Sequence, residues 1–270
     1  MAIALAYWGG WPLLLGVAAL TAIGLGEFYF VAQKAGARPY DLLGRLGAFL
    51  LLASAYLPHG QGILWLAVVV LAAGSLIGPL IRRSDNATLD LGATLLGTLY
   101  VGGLFAYLLL LRGLSDAPVH LRWLPWPVPA GTTYLLLPFL ATWGMDAGAY
   151  FVGRTWGRRK LAPRLSPHKT VEGAVGALVT AAVITVVFGL WFQLPAGHMV
   201  ALGALFGVAG QVGDLGKSVF KRQAGVKDYG SIIPGHGGVL DRFDSLLFCA
   251  PVAYYYLYLL LHFHLPLFDL

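Results

Sequence analysis

Residues 173–190 read GAVGALVTAAVITVVFGL, eighteen positions without a charged side chain. A helix of this length is about 27 Å long, close to the ~30 Å hydrocarbon core of a bilayer. The stretch therefore predicts a transmembrane helix. Eight such apolar stretches occur, namely Trp11–Ala32, Leu43–Leu57, Ile63–Ile81, Leu89–Leu111, Thr132–Phe151, Gly173–Leu194, Met199–Gly216 and Phe243–Phe263.

The composition supports the same class. Of 270 residues, 58% are hydrophobic and 11% are charged, whereas soluble domains are about 25% charged. Cys249 is the single cysteine, which excludes a domain built on internal disulfides. The expected fold is all-α and polytopic, with about eight transmembrane helices in one membrane-embedded domain, of which residues 1–125 are mainly scaffold and residues 126–270 the catalytic half.

The distribution of basic residues predicts the orientation. With the N-terminus outside, sixteen of the 18 Lys and Arg residues fall on the inner side, leaving Arg112 and Arg122 outside. Cytosolic loops carry such an excess of positive charge. The polar segments 153–172 and 217–244, where the chemistry is expected, then lie on the cytosolic face.

Three acids lie within apolar windows: Glu27, Asp146 and Asp214. A charged side chain facing lipid at the bilayer centre costs roughly 2.5 to 3.5 kcal/mol, so such acids are expected in a protein interior or a water-filled cavity. For Glu27 a position at the membrane interface is an equal alternative. For the other two acids, an ion-coupled transporter is the competing hypothesis, although the charged residues cluster at one face rather than at mid-membrane.

Residues 146–154 read DAGAYFVGR. On a helix, Asp146, Tyr150 and Arg154 lie on one face. This stripe of carboxylate, phenol and guanidinium is unusual for a lipid-facing helix and predicts a polar site. Gly144 and Gly148 form a Gly-x-x-x-Gly pair, which favours close helix packing.

Residues 218–244 read SVFKRQAGVKDYGSIIPGHGGVLDRFD, the most specific signal in the chain. Its basic side chains suit phosphate oxygens, and its glycines let backbone N–H groups approach a ligand. Asp241 and Asp244 share a helix face, and carboxylate oxygens without a Cys or His cluster favour Mg²⁺. The alternative is a basic loop in which both acids pair with Arg242 and Lys227.

This stretch, with residues 146–154 and SPHKTVEG at 166–173, resembles the phosphatidate cytidylyltransferase (CDP-diacylglycerol synthase) family. The resemblance implies transfer of the cytidylyl group of CTP to phosphatidate, giving CDP-diacylglycerol and pyrophosphate for phospholipid synthesis. It implies Mg²⁺ as cofactor, with a second cation left open because relatives often carry an acid where this chain has Lys217.

The resemblance also implies the site residues. The catalytic set is Asp214, Lys221, Arg222, His236, Asp241 and Asp244, and the metal set is Asp214, Asp241 and Asp244. The substrate-binding set is Asp146, Tyr150, Arg154, Ser166, Lys169, Thr170, Lys227, Asp228, Gly237, Gly238 and Arg242.

Two related activities stay open: a CTP-dependent polyprenol or phytol kinase, and a CDP-archaeol-type synthase acting on an ether lipid. The expected partners are CTP, phosphatidate and membrane lipid, with no nucleic acid and with homo-oligomers left open. The expected location is a bacterial inner membrane, with the active site facing the cytoplasm.

Overall fold

The computed structural model describes residues 2–119, 126–192, 194–230 and 237–263. These residues form ten α-helices and one π-helical segment, Thr98–Gly103, which joins the helices Ala87–Gly97 and Leu104–Arg112. The helices are α1 Ala2–Trp8, α2 Gly10–Lys34, α3 Asp41–Tyr56, α4 Gln61–Ile81, α5 Ala87–Gly97, α6 Leu104–Arg112, α7 Ala130–Trp156, α8 Val171–Trp191, α9 Ala196–Gln223 and α10 Val239–Phe263.

Seven helical segments in the described part of the chain are long and apolar enough to cross a membrane: α2, α4, the continuous segment Ala87–Arg112, and α7 to α10. The all-α, polytopic membrane class is therefore confirmed. The predicted span Leu43–Leu57 corresponds to α3, which has 16 residues and is therefore about 24 Å long. This helix is shorter than the ~20 residues of a typical crossing, so full-length helices match seven of the eight predicted spans and the eighth stays a prediction. The orientation stays a prediction.

Two small antiparallel hairpins accompany the helices. Strand β1, Pro118–Val119, pairs with β2, Val128–Pro129. Strand β3, Lys160–Ala162, pairs with β4, Ser166–Thr170. The second hairpin connects α7 to α8, within the polar segment that the sequence analysis singled out.

The chain divides into two compact units. The first unit comprises the described residues of Met1–Trp8, Leu111–Ser218 and Asp244–Leu270; the second comprises Gly9–Leu110 and Val219–Phe243. The divisions fall between α1 and α2 and inside α6, α9 and α10. Each unit thus combines segments that are distant in sequence.

In the first unit, small residues let α7 and α8 pack closely. A Cβ on Gly144 would overlap Ile184, and a Cβ on Gly148 would overlap the Thr180 hydroxyl. Membrane helices approach most closely where small residues such as glycine lie at their interface. The packing role predicted for the Gly144 and Gly148 pair is confirmed.

In the second unit, Tyr29 organises the packing of α2. Its side chain is buried, its hydroxyl donates a 3.0 Å hydrogen bond to the Thr94 carbonyl, and Gly44 and Gly97 leave room for its ring. A buried tyrosine needs such a partner for its hydroxyl. These contacts fix α2 against α3 and α5 and so fix the position of Glu27 two residues earlier.

Candidate active site

Asp214 of the first unit lies among lysines. The Lys169 ammonium contacts Asp214 Oδ2, and the Lys217 ammonium lies 3.6 Å from Asp214 Oδ1. The Asp214 side chain is 27% exposed. A partly buried carboxylate with two cations beside it is stabilised in its charged form.

Asp244, also in the first unit, is more deeply enclosed. Its Oδ2 contacts the Lys217 ammonium, and its Oδ1 accepts a 2.6 Å hydrogen bond from the Ser245 backbone N–H. The Asp244 and Lys217 side chains are 8% and 10% exposed. Removing either partner of such a buried pair leaves an uncompensated charge, which is strongly destabilising.

The predicted stripe on α7 is present. Arg154 donates a 2.5 Å hydrogen bond to the Tyr150 hydroxyl one helical turn earlier. Asp146, a further turn back, lines a cavity together with Tyr150 and Arg154. The expectation that Asp146 avoids lipid by facing a cavity agrees with this position.

This cavity has a volume of about 480 Å³, within the range of small-molecule sites. Polar side chains of α7, the β3–β4 hairpin, α9 and α10 form part of its wall, and small or apolar residues of α7, the hairpin, α8 and α9 form the rest. The polar lining residues are Asp146, Tyr150, Arg154, His168, Lys169, Thr170, Gln211, Asp214 and Ser245. The cavity thus combines cations and carboxylates with an apolar surface.

The β3–β4 hairpin places Lys169 in this cavity. Thr170 follows Lys169 and accepts a 3.1 Å hydrogen bond from the Gly173 N–H, which caps the start of α8. Glu172 accepts hydrogen bonds from the N–H groups of Arg158 and Arg159 and so ties the end of α7 to α8. Of the predicted substrate residues here, Thr170 also lines the cavity, whereas Ser166 lies opposite Ala162 in the hairpin and outside the residues that line it.

In the second unit, Asp241 has contacts at both oxygens. Its Oδ1 accepts a 2.8 Å hydrogen bond from the Lys221 ammonium, and its Oδ2 accepts from the N–H groups of Tyr229 at 2.8 Å and Gly238 at 3.1 Å. Asp241 is the third residue of α10 and reaches back to the residue before the helix, as in a capping box. The acid therefore fixes the end of the glycine-rich turn to the helix.

Glu27 is a residue of this unit that the sequence analysis did not place in the site. Its carboxylate is buried and accepts 2.9 Å hydrogen bonds from the N–H groups of Val239 and Leu240. Gly230 and Gly238 approach so closely that a Cβ on either would meet Glu27. The available signal was an acid in an apolar helix; its partners could not be read from the sequence.

The other predicted residues of this segment fall into three groups. Arg222, Lys227, Asp228 and Arg242 are exposed, which suits side chains that bind a ligand from solution. Gly237 has φ of +80°, a backbone conformation that favours glycine. His236 lies outside the described residues.

Asp214 in the first unit and Asp241 in the second each offer carboxylate oxygens, the donor type that Mg²⁺ prefers. Within the described residues, no three His, Cys, Asp or Glu side chains are grouped closely enough to hold a metal ion. The contacts given above pair each predicted metal ligand with a lysine instead. These contacts differ from the alternative, in which Asp241 and Asp244 pair with Arg242 and Lys227.

Comparison with known proteins identifies one family. The family model described as the cytidylyltransferase family matches residues 1–260. The phosphatidate cytidylyltransferase of Synechocystis sp. (strain ATCC 27184 / PCC 6803 / Kazusa) is 35% identical over 280 residues, covering 97% of this chain and 93% of that protein. The protein of the same name from Bacillus subtilis (strain 168) is 38% identical over 202 residues, covering 74% and 70%. A third, from Staphylococcus haemolyticus (strain JCSC1435), is 45% identical over 124 residues, covering 45% and 48%.

Proposed function

The chain belongs to the cytidylyltransferase family, and from that premise we propose that it transfers the cytidylyl group of CTP to phosphatidate. The products are CDP-diacylglycerol and pyrophosphate. The observation that carries the proposal is the cavity of the first unit, where Arg154 and Lys169 lie beside small and apolar residues. A phosphate attached to acyl chains needs cations for the phosphate and an apolar surface for the chains. Membership of an enzyme family also removes the transporter hypothesis.

In the proposed reaction, a phosphate oxygen of phosphatidate attacks the α-phosphorus of CTP. A new P–O bond forms to the lipid phosphate, and the bond between the α-phosphorus and the bridging oxygen breaks, so the electron pair leaves with pyrophosphate. The attacking oxygen is already ionised, so the step needs no protein nucleophile and no general base. Catalysis then rests on positioning and on stabilising negative charge.

We assign the first-unit cavity to phosphatidate. Lys169 and Arg154 would bind its phosphate, since both are donors that suit phosphate oxygens. The hydrogen bond between Arg154 and Tyr150 orients the guanidinium toward such a ligand. The apolar wall, which includes Ala149, Ala174 and Ala177, would contact the glycerol and the first methylenes of the acyl chains.

We assign the second unit's exposed cations to CTP. Arg222, Lys227 and Arg242 would bind its phosphates, and Lys221 would act mainly by holding Asp241. Gly237 belongs to the same proposed set, because its φ of +80° would let the backbone approach a phosphate closely. His236 belongs to the same proposed set because of its place in the motif.

Asp214 of the first unit and Asp241 of the second unit are each a proposed Mg²⁺ ligand, and Asp244 would support Asp214. When bound, Mg²⁺ supplies positive charge that neutralises the phosphates and the pyrophosphate leaving group. The chain is an integral membrane protein, and CTP is water-soluble. We therefore propose that the reaction takes place at the cytoplasmic face of a bacterial inner membrane.

The test is a detergent-micelle assay with CTP labelled at the α-phosphate, phosphatidate and Mg²⁺, in which label is followed into the lipid phase. We expect lipid labelling by the wild type, a loss of at least ~100-fold in D241N because removal of a charge-stabilising group costs several kcal/mol, and near-wild-type labelling by D116N. Asp116 is an exposed acid in a surface ion pair. D116N therefore controls for the general effect of replacing a carboxylate with an amide.

If the folded wild type leaves all label in water, the transferase proposal is wrong. Labelled CDP formed with added polyprenol would instead identify a kinase, because a kinase transfers the γ-phosphate and leaves the α-label in CDP.

A further inference from the structure

Lys217 lies between two acids of the first unit. Its ammonium contacts Asp244 Oδ2 and lies 3.6 Å from Asp214 Oδ1. Lys217 and Asp214 are three residues apart on α9, so the helix itself brings them together. Asp244 comes from α10 and completes the bridge.

Asp214 and Asp244 both lie beside the same Lys217 ammonium, so the two carboxylates are close to each other. Such acids remain charged together only if a cation offsets their repulsion. Because the Lys217 and Asp244 side chains are almost fully buried, water screens this repulsion poorly. A cation is therefore required at this position, and Lys217 provides one covalently.

We infer that the Lys217 ammonium is the resident cation of the Asp214 and Asp244 pair, so that no divalent metal ion binds between these two acids while Lys217 is present. The inference rests on the proposed function, which assigns Asp214 to Mg²⁺ with Asp244 in support. Asp244 then positions Lys217 rather than binding a metal.

Both carboxylate oxygens of Asp244 already have partners, which supports this assignment. Its Oδ1 accepts from the Ser245 N–H, and its Oδ2 contacts Lys217. A metal ion at Asp244 would have to displace the ammonium or lie next to it, and two cations at that distance repel. The remaining carboxylate, Asp214, stays accessible at 27% exposure.

The experiment counts Mn²⁺ bound at equilibrium to the purified full-length chain in detergent, without nucleotide. The variants are K217Q and K169Q, which remove the same charge from the same cluster. Lys217 bridges two acids, whereas the ion pair of Lys169 is with Asp214. We expect K217Q to bind one more Mn²⁺ per chain than the wild type, and K169Q to bind the wild-type number. The thermal unfolding midpoint should rise with Mn²⁺ by several degrees more in K217Q than in the wild type.

An unchanged Mn²⁺ count in K217Q, or an equal gain in K169Q, overturns the inference. A second variant keeps it testable if K217Q fails to fold: D244N should bind as much Mn²⁺ as the wild type, and loss of a bound Mn²⁺ in D244N overturns the inference. Lipid labelling by the same wild-type preparation separates the two proposals. A chain that makes no CDP-diacylglycerol contradicts the proposed function, whereas the Mn²⁺ counts alone decide the role of Lys217.

Discussion

Glu27 accepts a 2.9 Å hydrogen bond from the backbone N–H of Leu240, a residue 213 positions further along the chain. The Glu27 carboxylate also accepts from Val239. The first N–H groups of a helix have no partner within it, so this acid satisfies two of them at the start of α10. Glu27 thereby holds the helix turn that carries Asp241.

Replacing Glu27 with Gln should destabilise the protein. A Gln side chain offers one acceptor where two N–H donors converge, and its NH₂ group would face a donor. A buried donor left without a partner costs about 1 to 3 kcal/mol. We expect a lower thermal unfolding midpoint and about tenfold or greater loss of lipid labelling, which matches more than one kcal/mol of lost stabilisation of the transition state.

T21V is the matched control for E27Q, because Thr21 is a buried polar residue on the same helix. Its hydroxyl has no hydrogen-bond partner among the described residues. The substitution should leave both the midpoint and the activity near wild type. Equal effects of T21V and E27Q would contradict the role assigned to Glu27.

Substituting Ala for Gly238 should impair the same region. A Cβ at this position would lie 2.5 Å from both carboxylate oxygens of Glu27, so the turn or the acid must shift. We expect at least a tenfold loss of activity in the lipid-labelling assay, since a shift of about 1 Å near a site can cost that much. G216A serves as the control: a Cβ there meets open space, and Ala should stabilise α9 by up to about 1 kcal/mol.

Thr170 gives a prediction for the first unit. Its hydroxyl caps α8, and loss of such a cap costs about 1 kcal/mol. T170V should lower the unfolding midpoint and raise the KM for phosphatidate, because Lys169 precedes the cap directly. T170S retains the acceptor and should restore most of both values. Loss in T170S with T170V near wild type would show that the methyl group, not the hydroxyl, matters.

The topology can be tested by cysteine labelling. Cys249 is buried, and C249S provides a background without thiols. If α3 completes a membrane crossing despite its 16 residues, cysteines introduced as A35C and Q61C should react with an impermeant maleimide from opposite sides of sealed vesicles. Labelling of both from one side would mean that α3 enters and leaves the membrane on the same side, and the predicted orientation would need to be reversed from α4 onward.

The features that can be predicted from the sequence are those whose deciding interactions are local. The stripe formed by Asp146, Tyr150 and Arg154 follows from helical periodicity, and the structure retains it in α7. The helical spans follow from hydrophobic length alone. The apolar stretch Leu43–Leu57 likewise matches helix α3 to within two residues at each end.

The partners of the buried acids could not be predicted in this way. Lys217 lies three residues from Asp214, yet nothing in the sequence spacing selects Asp244 as its second partner. The same applies to Asp241: the alternative to a metal site paired it with Arg242 or Lys227, whereas its ion-pair partner is Lys221. Such pairings are decided by the approach of distant helices.

The long separation between Glu27 and its partners also affects how the protein is made. Ribosomes deliver α2 to the membrane before more than two hundred further residues have been synthesised, including Val239 and Leu240. During that interval the acid has no native N–H partners, although an acid in lipid is costly. Any chain that terminates before residue 239 keeps an unmatched carboxylate in its second helix, and that defect distinguishes an incomplete product from a finished enzyme.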